Sequence, residues 1–151
     1  MKHIFTILSV LFITLMASAQ STKQVKWSIT TKKIADKKYE VHMTANINSG
    51  WHMYAQEVGV EGPLPTAFSF TKNPLVTLEN KTKEVGKKIK KNEEVWGGEV
   101  NYYEKTVDFV QVITLKGNVK TNLTGKVVFM VCNDRECLPP GEVEINVNVG
   151  G

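Results

Sequence analysis

Between residues 39 and 47 the chain alternates with a period of two. Tyr39, Val41, Met43, Ala45 and Ile47 point one way, and Glu40, His42, Thr44 and Asn46 point the other. That is the pattern of a β-strand with one face on a core. Val25-Lys26-Trp27-Ser28-Ile29 alternates in the same way, and Ala35-Asp36-Lys37 between the two runs predicts a hairpin turn. Thr66 to Phe70 predicts a short strand after the Pro63-Leu64-Pro65 break. Val107 to Leu115 is apolar on both faces, which suits a central strand, and Val127 to Cys132 is similar. Glu142 to Val149 alternates again, with Val143, Ile145, Val147 and Val149 on one face. Trp27 is expected in the core. His42, on the polar face of its strand, is expected in solvent. No long amphipathic helix is evident. Short strands with frequent turn signals predict an all-β fold, and roughly 130 residues suit an immunoglobulin-like antiparallel β-sandwich of two sheets. No repeat or linker divides the chain, so one domain is expected over 20–151.

The N-terminus has a different pattern. Met1-Lys2-His3 is basic, Ile4 to Met16 is apolar apart from Thr6, Ser9 and Thr14, and Ala17-Ser18-Ala19 offers small residues for cleavage. This predicts a signal peptide over 1–19 with Gln20 as the mature N-terminus. The apolar run is short for a membrane span and no Cys stands at the cleavage point, so no membrane insertion is expected after cleavage. Export implies a compartment where disulfides form. The chain of 151 residues is 42% hydrophobic and 23% charged, which argues against disorder. Its net charge of +4 is small and interspersed with acids, so nucleic acid is not an expected partner. Lys81, Lys83, Lys87, Lys88, Lys90 and Lys91 crowd one stretch, followed by Glu93-Glu94. A solvated loop, or an edge strand kept from pairing by its lysines, is expected there rather than an anionic docking patch.

The chemistry is concentrated in Phe129-Met130-Val131-Cys132-Asn133-Asp134-Arg135-Glu136-Cys137-Leu138-Pro139-Pro140. Asn133-Asp134 is good turn chemistry, so the chain can double back and bring the two Cβ atoms within disulfide range. Three readings compete. A structural staple closing so small a ring would add only about 2 kcal/mol. A metal site has only His42 and His52 as further imidazoles after signal removal, without zinc-finger spacing. A redox-active dithiol fits a small, accessible ring that is readily reduced. The spacing leaves staple and redox pair open.

The segment from Val131-Cys132 to Cys137-Leu138-Pro139-Pro140 resembles the active-site stretch of the N-terminal periplasmic domain of DsbD, the bacterial transmembrane thiol-disulfide reductase. Gly50-Trp51-His52-Met53-Tyr54, Gly62-Pro63-Leu64-Pro65-Thr66, and Glu93-Glu94-Val95-Trp96-Gly97 followed by Tyr102-Tyr103 are similar to further stretches of that family in the same order. The resemblance implies an immunoglobulin-like sandwich and thiol-disulfide interchange without a cofactor. It implies that Cys137 forms the mixed disulfide with a thioredoxin-like partner and that Cys132 resolves it. It makes Glu93, Glu94, Val95 and Trp96 a cap over the cysteines, with Val95 or Trp96 where the family carries a shielding aromatic. Trp51 and Tyr54 become candidates to line the site. His52 could tune a thiol, although an exposed loop position is the expectation for it, and Glu93 and Glu94 could act on the thiols from the cap. The family protein also carries membrane and thioredoxin-like domains, whereas this sequence ends at Gly151. A separate membrane reductase is therefore the expected donor, and the periplasm the expected location. Two alternatives stand beside this reading. One is a protein-binding sandwich with a structural disulfide. The other is a copper carrier using His42-Met43, His52-Met53 and the cysteines.

Overall fold

A computed structural model describes residues 19–151. The expected signal segment lies outside these residues apart from Ala19, which opens a short helix α1, Ala19–Gln24. Two long strands follow, β1 (Val25–Ala35) and β2 (Lys38–Ile47). They pair antiparallel from Val25↔Ile47 to Lys33↔Tyr39, and Lys37 takes a left-handed φ of 57° in the turn between them. β3 is His52–Tyr54, β4 Ala67–Phe70, β5 Val76–Gly86, β6 Ile89–Glu93 and β7 Gly98–Tyr103. β8 is Thr106–Leu115, β9 Thr121–Phe129, β10 Val131–Cys132 and β11 Gly141–Val149. Among the described residues no helix is long and apolar enough to cross a membrane.

The strands form antiparallel sheets in the orders β1-β2-β8-β5, β11-β9-β4 and β10-β3-β7-β6. The first two pack face to face as an immunoglobulin-like sandwich. Val41, Met43 and Ala45 of β2 and Val107, Phe109 and Ile113 of β8 meet Leu123, Val127 and Phe129 of β9 and Ile145 of β11 in one core. Trp27 of β1 reaches across the layers, with ring centroids 5.5 to 6.3 Å from those of Phe129, Phe109 and Phe68. As its apolar run predicts, β8 is an inner strand, between β2 and β5. The lysine-rich stretch forms β5 and β6, and each is the edge of its sheet. Charged residues on these edges oppose pairing with another chain.

Two features differ from the sequence reading. The strand expected from Val127 to Cys132 is broken at Met130. Phe129 pairs with Gly141 on β11, whereas Val131 pairs with Met53 on β3, so the chain changes sheets at that point. Val127, Phe129 and Val131 are all buried, so the alternation runs straight through the change. Periodicity reports which face is buried, not which strand is the partner. The second difference is His42, which is not simply solvated. Its Nδ1 lies 2.7 Å from Asp108 Oδ2 and its Nε2 lies 3.2 Å from Glu40 Oε2. Thr44 Oγ1 donates to Asp108 Oδ1 at 3.0 Å. Asp108 stands opposite Thr44, one diagonal step from His42, within reach of a long side chain. The Asp108 hydrogen bond, followed by the charges of Asp108 and Glu40, outweighs partial burial and holds this imidazole above its usual range.

Candidate functional site

The third sheet carries the cysteines. Cys132 ends β10, and the chain turns back at once so that Cys137 stands directly opposite it as an antiparallel bridge partner. The sulfurs are bonded at 2.02 Å, with the Cα atoms 4.0 Å apart. Asn133 builds the turn. Its Oδ1 accepts the N–H groups of Arg135 at 2.8 Å and Glu136 at 2.9 Å, and its own N–H donates to the Glu136 carbonyl at 2.9 Å. This is the Asx chemistry the sequence suggests. The exit is tied down separately. Leu138 donates its N–H to the Val131 carbonyl at 3.0 Å and buries its side chain in the main core. Ser21 of α1, fully buried, donates to the Pro139 carbonyl. Gly141 makes room for that helix, because a Cβ there would lie 2.9 Å from Ser21 Cβ. The hairpin thus has an anchored base and a free tip. Cys132 is 2% exposed, whereas Cys137 faces solvent.

A cleft of about 490 Å³ opens over the disulfide. Its lining includes both cysteines together with Glu93, Glu94, Val95, Trp96 and Tyr54 of the sequence candidates. Glu94–Trp96 forms a single 3-10 turn, closed by the Gly97 N–H on the Glu94 carbonyl at 3.1 Å with Gly97 at a φ of 71°. The turn sends its two apolar residues in different directions. Val95 is 84% exposed. Trp96 folds inward, and its indole N–H donates to Tyr54 Oη at 3.0 Å with the two rings perpendicular. Gly62 lies against the indole, where a Cβ would come within 2.5 Å of Trp96 Cε3. Trp96, Tyr54, Val58, Val100, Tyr102 and Cys132 belong to a second apolar cluster, smaller than the main core. Trp51 is not brought to the disulfide cleft. It packs against the main core and lines a separate cleft of about 210 Å³.

His52 is the residue that sequence reasoning placed elsewhere. It is not an exposed loop residue but the first residue of β3, paired across the sheet with Cys132. Its ring lies 4.5 Å from the Tyr102 ring and 5.3 Å from the Tyr54 ring, centroid to centroid. Burial pushes the imidazole below its usual range, against the opposing pull of Glu93, Glu104 and Asp134. Burial likewise raises the Tyr54 hydroxyl, opposed by the Trp96 hydrogen bond. The signal available in the sequence was position alone: His52 and Tyr54 are two apart and so share a face.

The charged residues lining the cleft are Glu93, Glu94, Asp134 and Glu136 against Lys91 and Arg135. This excess of acids opposes a further negative charge on sulfur. The copper reading loses its thioether ligands, because Met43 and Met53 are fully buried in the main core. His42 is engaged by Asp108 and Glu40 on a different sheet. Among the described residues no group of three or more His, Cys, Asp or Glu is placed to hold a metal ion. A buried cysteine bonded to an exposed one, in an open cleft, is an arrangement suited to thiol-disulfide exchange.

Comparison with known proteins agrees. No curated protein matches the chain. Among solved structures the fold is similar to the N-terminal periplasmic domain of ScsB from Proteus mirabilis, with a TM-score of 0.62 and 15% identity over 85% of this chain. The match spans 47% of that longer chain, about half its length. It is also similar to the Neisseria meningitidis DsbD N-terminal domain in the reduced form, with a TM-score of 0.53 and 17% identity over 86% of this chain and 89% of that one. At these identities the likeness is one of fold. The family model for the N-terminal part of thiol:disulfide interchange protein DsbD matches residues 18–148, and the chain therefore belongs to the DsbD N-terminal family of thiol-disulfide interchange domains.

Proposed function

We propose that the protein is a periplasmic electron carrier that passes two electrons between thioredoxin-like partners through the Cys132/Cys137 pair. The observation that carries this reading is the asymmetry of the two cysteines, one a buried residue and one an exposed residue, in the lining of an open cleft. An incoming partner disulfide can reach Cys137 but not Cys132. The Cys137 thiolate attacks a partner sulfur and forms a mixed disulfide, releasing the partner's second sulfur as a thiolate. Cys132 then attacks Cys137, re-forms the internal disulfide and releases the partner in its dithiol form. The reverse sequence reloads the carrier from a dithiol donor, for which a membrane reductase is the proposed source. The signal-peptide-like pattern of residues 1–19 supports the location, as does the periplasmic setting of the ScsB domain of similar fold.

A purely structural bridge is disfavoured by what it would staple. The bond closes a single hairpin and does not join sheets, and the Leu138 and Ser21 contacts already hold the base of that hairpin. The test is trapping. Cys132→Ser should accumulate a mixed disulfide through Cys137 with a thioredoxin-like protein on non-reducing gels, and Cys137→Ser should accumulate little. Linkage through Cys132 by mass spectrometry, or no linkage in either variant, would overturn the assignment.

A further inference from the structure

We infer that His52 is the proton acceptor for Cys132 when that buried thiol resolves the mixed disulfide. The inference rests on the exchange reading above and adds a residue to it. Three observations converge on this position. First, His52 and Cys132 are cross-strand partners, and directly opposed side chains on one sheet face have Cβ atoms about 5 Å apart. Second, Cys132 is 2% exposed, so water has little access to its proton. His52 is only half-buried and lines both the disulfide cleft and the smaller cleft beside it. Third, the ring is held in place. It lies against the Tyr102 and Tyr54 rings, with Nε2 3.5 Å from Tyr54 Oη, and Tyr54 itself accepts the Trp96 indole N–H.

The groups facing His52 are known from each side. Lys91 and Glu93 of β6, Tyr102 of β7, Glu104 and Lys105 of the following turn, and Asp134 of the cysteine hairpin surround it. Burial lowers the ring's proton affinity despite those acids and so favours the neutral imidazole, the form that can take a proton. In the tautomer whose Nε2–H donates to Tyr54 Oη, Nδ1 is the accepting atom. In the step itself the Cys132 S–H proton passes to Nδ1. The Cys132 sulfur attacks Cys137 Sγ, the Cys132–Cys137 bond forms and the bond from Cys137 to the partner sulfur breaks. The electron pair leaves on that sulfur, which takes the proton back from the imidazolium or from water. The acidic surroundings oppose an unassisted thiolate at Cys132, so a local acceptor accelerates closure without altering the attack of Cys137.

The test uses reduced full-length mature protein and excess glutathione disulfide, with the release of two glutathione molecules followed separately across pH 5 to 9. The first release reports attack by Cys137 and the second reports closure by Cys132. His52→Ala and His52→Gln should slow the second release at least about tenfold at pH 7, below the usual span of general-base catalysis. They should leave the first release unchanged and remove the imidazole-range inflection from the profile of the second. Added imidazole should restore the rate in His52→Ala while leaving wild type unaffected, which a packing role would not produce. Equal second-release rates and pH profiles in wild type and a folded His52→Gln would overturn the inference and leave the exchange reading standing. Absence of any second release in wild type would overturn both.

Discussion

The two apolar clusters of this domain are built from different materials. The main core takes its bulk from Val, Ile, Leu, Met and Phe between the two large sheets, and most of its members have no polar tip. The second cluster is made of Tyr54, Tyr102, Val58, Val100 and Cys132, with Trp96 and Met130 packed on it. Here the largest side chains carry a hydroxyl or an indole N–H, and two of them, Tyr54 and Trp96, hydrogen-bond to each other in the lining of the cleft over the disulfide. A cluster of the first kind contributes through area removed from water. A cluster of the second kind gives up part of that gain to place polar atoms beside a reactive bond. Fold and site are thus assigned to different clusters, and substitutions can separate them.

The largest separation is expected from Phe109→Ala. Phe109 is fully buried on β8 and touches Trp27, Phe68 and Tyr103. Its loss should cost about 3–5 kcal/mol by denaturant unfolding and leave the reduction potential of the remaining folded protein unchanged. A shift in potential would mean that the two clusters are coupled. Gly62→Ala addresses the other side. Its φ of 128° and the 2.5 Å approach to Trp96 leave no room for a Cβ. About 1–3 kcal/mol of strain is expected, together with displacement of the indole and faster reaction of the cysteine pair with small thiols. Trp96→Phe keeps an aromatic ring but removes the hydrogen bond to Tyr54. It should cost about 1 kcal/mol and leave the main-core residues as protected from amide exchange as in wild type.

The smallest effects come from the two histidines, and they run in opposite directions. His42 holds its proton more tightly in the folded state because of Asp108. Its stabilisation is complete below the unfolded value, near about 6.5, and fades as pH rises through the raised folded value. His52 is depressed by burial. Its neutral form is accommodated fully above about 6.5, and stability is lost as pH falls from there toward the folded value. Urea midpoints between pH 5 and 8 should therefore show His42→Gln losing most relative to wild type in acid, and His52→Gln losing least there. Parallel curves for both variants would contradict the two environments described.

The main core was legible in the sequence because its strands are long and half-buried. β1, β2 and β11 follow their alternation almost residue by residue, and β8 is central as its two apolar faces require. The depth difference between Cys132 and Cys137 follows from the apolar run before one and the turn before the other. The site's own sheet was not legible. β10 has two residues and β3 three, too few to show a period, and β6 and β7 mix charges with aromatics. His52 was misplaced because a three-residue strand next to Gly50 reads as a loop. Trp51 packs away from the disulfide because neighbours along a strand point to opposite faces, and His52 and Tyr54 take the site face. The inward turn of Trp96 depends on Gly62, far from it in sequence, and no local pattern reports such a contact.

The central claim is that the Cys132/Cys137 bond belongs to the reactive cluster and not to the fold. A redox titration in dithiothreitol buffers, followed at once by thiol counting and by far-UV circular dichroism, tests it most directly. The account predicts reversible reduction with a midpoint above about −300 mV, an unchanged spectrum, and a reduced protein only about 2 kcal/mol less stable than the oxidised one. Reduction that occurs only together with loss of the β spectrum would contradict it and return the bridge to a structural role.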